Sequence, residues 1–163
     1  MNALPTPTIR HILVICEGNH CRSPMAEYLL KTALNTGAGP GVGVESAGLG
    51  ALHGRAADPE AERLMAQRGI DMSAHRGRML TPKFALAADL ILVMDRQQKA
   101  SCEQLAPSAR GRVFLLGHWL PANEQEIVDP FHRGPEAFRE ALTHIDQAVA
   151  AWLPRLLPPQ RPA

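Results

Sequence analysis

Hydrophobic positions along the chain follow two alternating periods. Ile9–Cys16 is a short apolar run rich in β-branched residues, the pattern of a strand buried on both faces. Val42–Ala47, Asp89–Asp95 and Arg112–Leu116 read the same way, the segment DLILVMD most clearly. Between these runs the apolar residues fall at helical spacing, as in Ala26, Leu29, Leu30, Ala33 and Leu34. Ser23-Pro24, Asp58-Pro59 and Thr81-Pro82 each place a capping residue before a proline suited to a first helical position. The first two predicted helices stop at Gly37 and Gly69, the third is the short KFALA segment, and a further helix covers RQQKASCEQLA. In the last helix Phe138, Leu142, Ile145, Val149, Trp152 and Leu156 form one continuous apolar stripe, predicted to pack on a sheet rather than to form an oligomer seam.

Four strands alternating with helices predict the α/β class: a single domain with an open four-stranded parallel sheet flanked by helices. The expected domain spans residues 9–157, with a flexible start over 1–8, a linker over Gly37–Gly43 and a disordered tail over 158–163. Ligands of such sheets sit beyond the carboxyl ends of the strands, where the strand order reverses. That points to the loops after Cys16, Ala47, Met94 and Leu116.

Composition narrows the function. At 163 residues, 45% of them hydrophobic and 20% charged, the chain is an ordinary globular domain, not a disordered one. The 17 basic and 16 acidic residues leave a net charge of +1, without the electrostatic footprint of a nucleic-acid binder. No apolar run approaches the ~18 residues of a membrane span, and no secretory leader is read at the start, so a cytoplasmic monomer is expected. Three cysteines make no disulfide framework. Their spacing with the histidines matches no standard zinc pattern, and Gly48, Gly50 and Gly54 miss the dinucleotide fingerprint, so neither metal nor cofactor is expected.

The chemistry lies in the loop after the first strand, Cys16-Glu17-Gly18-Asn19-His20-Cys21-Arg22-Ser23. A short loop between a strand end and a helix N-terminus turns backbone N–H groups inward, and the helix dipole adds positive potential. Gly18 and Asn19 supply the unusual backbone angles, and Arg22 offers a planar fork for two phosphate oxygens. Cys16 at the mouth of this oxyanion cradle is expected to act as a thiolate, with Ser23 donating to it, and a sulfur so placed suits attack on phosphorus. Cys21 is either a small packed residue or a redox partner. A loop curled around a phosphate brings positions five apart into the ~4.4–6.8 Å Cα range of a disulfide, so peroxide is expected to drive a reversible Cys16–Cys21 bridge. Cys102 reads as structural.

Cys16 to Pro24 resembles, at every fixed position, the signature Cys-x-Gly-Asn-x-Cys-Arg-Ser-Pro of the low-molecular-weight protein tyrosine phosphatases. Similarity continues through Ser46–Leu52, Ala57–Ala61, Arg68–Arg78, DLILVMD, Leu115–Trp119 and Asp129-Pro130, in wording most similar to the bacterial branch paired with tyrosine autokinases of capsule and exopolysaccharide assembly. The resemblance implies Cys16 as nucleophile, Arg22 as phosphate clamp and Asp129 as general acid and base. It also implies a supporting network of Asn19, Ser23, Ser46 and His75, with the loop residues Glu17, Gly18, Asn19, His20, Cys21 and Ser23 around the phosphate. The implied partner is a phosphotyrosine protein, a bacterial tyrosine autokinase. Phe131-His132 replaces the two tyrosines that many members carry after Asp-Pro, which removes tyrosine phosphorylation there as an input. Phe131 walls the substrate ring, Leu52 makes the groove aliphatic, and Glu17 puts a carboxylate at the rim. Two other readings stand against this one: a thioredoxin-coupled arsenate reductase, for which only Cys102 offers a distant resolving thiol, and a non-catalytic phosphotyrosine binder, which has no use for a nucleophile.

Overall fold

The computed structural model describes residues 8–36 and 41–157. Residues 1–7 of the expected N-terminal arm over 1–8, the linker positions 37–40 and the tail over 158–163 lie outside the described residues. Nine principal elements follow in the order β1 (His11–Cys16), α1 (Arg22–Leu34), β2 (Gly43–Gly48), α2 (Pro59–Ala66), α3 (Pro82–Ala87), β3 (Leu90–Val93), α4 (Arg96–Leu105), β4 (Val113–Leu115) and α5 (Gly134–Leu156). The four strands are parallel and ordered β2-β1-β3-β4. Chain order reverses direction beside β1, so the loop after β1 sits at the switch point of the sheet.

The uniform apolar character of the strands follows from burial on both faces. Ile12, Val14, Leu90 and Leu92 point into one cluster with Met25, Leu30, Phe138, Leu142, Ile145, Val149 and Trp152 of α1 and α5. Leu13, Ile15, Ile91 and Val93 point the other way, toward Ala85 of α3 and Cys102 of α4. The stripe on α5 is therefore core, with Leu156 partly buried at its end, and Cys102 is a packing residue.

Local signals set most helix starts. Asp58 accepts from the Glu60 N–H at 2.9 Å and Thr81 from the Phe84 N–H at 3.2 Å, each followed by proline. Asp95 caps α4 by accepting from Gln98 N–H at 2.8 Å. Ser23 is the exception. Helix α1 already begins at Arg22, without a side-chain cap, because the Ser23 hydroxyl is held by Cys16 and Asn19 instead. β1, β3 and β4 are also shorter than the apolar runs that announce them, since their end residues leave the hydrogen-bonded ladder for the loops, whereas β2 keeps its length and shifts by one residue.

Ile145 is wholly buried where α5 closes over the sheet. Ile145→Ala is expected to lower the unfolding free energy by about 2–5 kcal/mol, read from urea denaturation, because lost transfer energy and a residual cavity add.

Candidate active site

Between the end of β1 and the first turn of α1 the chain closes a tight ring from Cys16 to Arg22. Asn19 makes this turn with φ +53°, a left-handed conformation that asparagine tolerates better than most residues. The N–H groups of Glu17, Gly18, His20 and Cys21 donate to no protein acceptor among the described residues. They leave a concave array of donors at a helix N-terminus, the arrangement that holds a tetrahedral oxyanion. Gly48 lies directly under the ring, where an added Cβ would meet Glu17 O at 2.6 Å and Ala51 Cβ at 2.8 Å.

Cys16 is buried, and its sulfur receives the Asn19 N–H at 3.3 Å and meets Ser23 Oγ at 2.9 Å. The neighbours fix the direction of the second bond. The Asn19 Nδ2 group, a donor only, gives one hydrogen to Ser23 Oγ and one to Ser46 Oγ, both at 2.9 Å. Ser46 passes its own proton to the Glu27 carboxylate at 2.5 Å, and Ser23 is left to donate to Cys16. Asn19 Oδ1 accepts from Arg78 N–H at 3.0 Å, and the Asn19 carbonyl accepts from His75 Nε2 at 2.7 Å. Every polar direction around Asn19 is thus used, and the network ends in two acceptors, the Glu27 carboxylate and the Cys16 sulfur.

Arg22 is almost fully buried, and its guanidinium donates to the Ile127 carbonyl at 2.8 Å. Asp95 lies 3.9 Å away on one side and Asp129 3.6 Å away on the other. Asp129 follows the loop after β4, half exposed, and its second oxygen accepts from the Phe131 N–H at 3.1 Å. The ring, Arg22 and Asp129 therefore meet at one end of the sheet, although more than a hundred residues separate the last from the first.

The rim is aromatic and basic. The His20 ring meets Phe131 edge-on at 4.6 Å, and the Arg55 guanidinium lies 5.5 Å over the same Phe131 ring. His132 packs on Phe131 from the other side, at φ +61°. Leu52 and Glu17 are exposed, as rim residues should be. Burial, with Arg55 adding to it, holds the His20 imidazole below its ordinary pKa. Burial first, and then the nearby Asp58 carboxylate, push the Cys21 thiol far above its usual range. Cys21 is therefore a thiol, and its Sγ shares a hydrogen bond with His20 Nδ1 at 3.0 Å. A His20 ring nitrogen, Cys21 Sγ and a carboxylate oxygen of Asp58 all lie within 4.8 Å of one another.

Cys16 to Ser23, Asp129 and Phe131 thus lie together around one ring, Ser46 and His75 join it through Asn19, and Leu52 is exposed in the loop after β2. Sequence reasoning missed Glu27, Asp95 and Arg78. Asp95 carried a signal, since it ends the clearest strand on the side where ligands gather. Glu27 carried none, because a glutamate on the predicted helix reads as solvent-facing, yet it is buried. The grouping of Asp58 with His20 and Cys21 was invisible too, because it joins two loops that ligand spacing along the chain never compares.

A family model described as Low molecular weight phosphotyrosine protein phosphatase matches residues 11–160. The chain is 48% identical over 148 residues to the "Probable low molecular weight protein-tyrosine-phosphatase EpsP" of Ralstonia nicotianae, covering 91% of this chain and 97% of that one. It is also similar to the 1.57 Å crystal structure of the Erwinia amylovora tyrosine phosphatase AmsI. There the TM-score is 0.86 and the identity 35%, with 94% of this chain and 97% of that chain covered. The tyrosine phosphatase Wzb of Escherichia coli K30 in complex with sulphate superposes with a TM-score of 0.84 at 39% identity, over 91% of this chain and 99% of that one.

Asn19→Gly keeps the left-handed turn but strands the partners of the amide. Leaving a buried polar group without a partner costs about 1–3 kcal/mol, so a stability loss of ~2–4 kcal/mol is expected in urea denaturation, where a loss below ~1 kcal/mol would show that the network is dispensable.

Proposed function

Because the chain belongs to the low molecular weight phosphotyrosine protein phosphatase family and is a protein-tyrosine-phosphatase, we propose that it works by double displacement at Cys16. The Cys16 thiolate attacks phosphorus and forms a sulfur–phosphorus bond while the bond from phosphorus to the tyrosine oxygen breaks. Asp129 in its acid form gives the departing phenolate oxygen its proton, and as carboxylate it then takes a proton from the water that splits the phosphocysteine. Inorganic phosphate leaves and the thiolate is regenerated. The loop N–H groups of Glu17, Gly18, His20 and Cys21 and the Arg22 fork hold the equatorial oxygens, where negative charge is carried through the transition state. Phe131, with Leu52 across the mouth, walls the tyrosine ring. The observation that carries this reading is the buried sulfur of Cys16, met by Ser23 and the Asn19 N–H at the floor of a ring of free donors.

The substrate we assign is a phosphotyrosine protein of the cytoplasm, a bacterial tyrosine autokinase of polysaccharide synthesis or export, acted on by a monomer. Among the described residues no helix is long and apolar enough to cross a membrane. The arsenate-reductase alternative is not favoured. Cys102 is wholly buried in the cluster on the α3–α4 face, where burial, and then the charge of Glu103, push its thiol up to about 11. It packs on the face of the sheet opposite to Cys16 and Cys21, away from the loop.

Two substitutions separate the roles. Cys16→Ser is expected to retain phosphate binding and to lose turnover on aryl phosphates, since the donors are untouched while the nucleophile is lost; more than a few per cent of the original kcat would sink the assignment. Asp129→Ala is expected to lower kcat on phosphotyrosine by ~10²–10⁴ and by less on aryl phosphates whose leaving group needs no proton, with equal losses on both pointing to a structural aspartate.

For Cys21 we propose a protective redox role. Peroxide oxidises the Cys16 thiolate to a sulfenic acid, and the Cys21 thiol displaces its hydroxyl to give a disulfide and water. Peroxide-treated enzyme should recover on addition of a dithiol, and Cys21→Ser should lose that recovery; peptide mapping that finds a Cys16–Cys102 bridge, or full recovery of Cys21→Ser, would reduce Cys21 to a packing residue.

A further inference from the structure

We propose that His20, Cys21 and Asp58 form a binding site for one thiophilic divalent cation of the zinc type, set against the phosphate loop, and that its occupancy stops turnover. His20 and Cys21 come from the loop after β1, and Asp58 comes from the turn that starts α2. Their three donor atoms, one nitrogen, one sulfur and one oxygen, already lie within 4.8 Å of one another. Tetrahedral zinc with bonds of ~2.0–2.3 Å sets its ligands about 3.5 Å apart, so side-chain rotations of modest size complete the site, with water as fourth ligand. The set is also balanced in charge, since thiolate and carboxylate together neutralise a doubly charged ion.

The exchange is a simple replacement. In the free protein one proton lies between Cys21 Sγ and His20 Nδ1, which are 3.0 Å apart. The cation takes its place: a sulfur–metal bond and a nitrogen–metal bond form, and the thiol proton leaves for solvent. The backbone is already braced for the same geometry, because the Asp58 N–H donates to the His20 carbonyl at 2.8 Å and ties the two loops together. Arg55 is the cation that opposes an ion here, and Asp129 is a second carboxylate that favours one, both acting on His20 from across the rim.

The effect on turnover follows from where the ligands sit. Opening the sulfur-to-nitrogen distance from 3.0 Å to about 3.5 Å displaces residues whose N–H groups face the phosphate position. Fixing the His20 ring also fixes the Phe131 ring packed 4.6 Å from it. The binding stands on geometry alone, whereas the inhibition rests on the phosphate-cradle reading above, and the two are measured apart.

Cobalt(II) serves as the probe, because a thiolate ligand gives it a charge-transfer absorption in the near ultraviolet. The titration uses the full chain carrying Cys16→Ser, which removes the other sulfur of the loop. One equivalent of cobalt should bind with that absorption and be displaced by zinc. The absorption should vanish when Cys21→Ser is added, and adding Asp58→Asn instead should weaken binding at least tenfold. Asp58→Asn keeps a side-chain oxygen for the cap of α2 and the backbone N–H to His20, so it guards against a result caused by unfolding. Charge transfer that survives Cys21→Ser, affinity unchanged by Asp58→Asn, or binding by the original chain but not by Cys16→Ser would each overturn the site. In the turnover arm, zinc should inhibit the unsubstituted enzyme reversibly, with activity restored by a chelator, and Asp58→Asn should need at least tenfold more zinc. Binding at His20, Cys21 and Asp58 without inhibition would overturn the regulatory half. Turnover by Cys16→Ser itself would count against the proposed mechanism and leave the binding result standing.

Discussion

The side-chain amide of Asn19 is the contact on which the site depends. It sits at the one left-handed residue of the loop after β1 and spends both hydrogens on serines, one beside Cys16 and one in β2. Because an amide nitrogen cannot accept, the protons of both hydroxyls must point away from it. The orientation of the Ser23–Cys16 bond is thereby decided by a residue that does not touch the sulfur with its side chain. Glu27 anchors the other arm: its carboxylate accepts from Ser46 and is also held by Lys31 at 2.6 Å. A buried network of this kind is stabilising only when every member has a partner, and no buried side-chain nitrogen or oxygen among the described residues lacks one.

The sheet turns that local arrangement into a site. With β1 between β2 and β3, the loop at its carboxyl end is flanked by chain leaving both neighbours. From β2 come Gly48, whose bare Cα lets the ring close down, and the segment carrying Leu52 and Arg55. From β3 comes Asp95, and from beyond β4 come Ile127 and Asp129, so that Arg22 is gripped from the far side of the sheet. Loops can be placed this accurately because the scaffold under them is covered on both faces and densely packed.

Much of this was legible in the sequence. Apolar runs and proline-led helix starts located the elements, and the Cys16–Pro24 string located the chemistry. What misled was a residue with two uses. Ser23 stands where a cap belongs, yet its hydroxyl is held by the Cys16 sulfur, a tertiary demand that no local pattern records. Asp129 was reachable only through family resemblance, because carboxylate-then-proline is otherwise a turn signal. Glu27 and Arg78 were out of reach altogether: their roles arise from the docking of α1 and from the bridge that pairs Met79 with Gly48 at the end of β2, which residue type and spacing do not encode.

The bond from Arg22 to the Ile127 carbonyl joins positions 105 residues apart. During synthesis Cys16 and its ring emerge from the ribosome well before Asp129, so a nascent chain holds the sulfur long before the carboxylate that will face Arg22. The guanidinium that will grip phosphate is aligned only after the chain has laid down β3, α4 and β4 and turned back across the sheet. The surroundings of Arg22 are therefore complete only when the whole sheet is in place. Contacts of such long sequence range are slow to form, so the grip on Arg22 carries the entropy of closing a loop of more than a hundred residues.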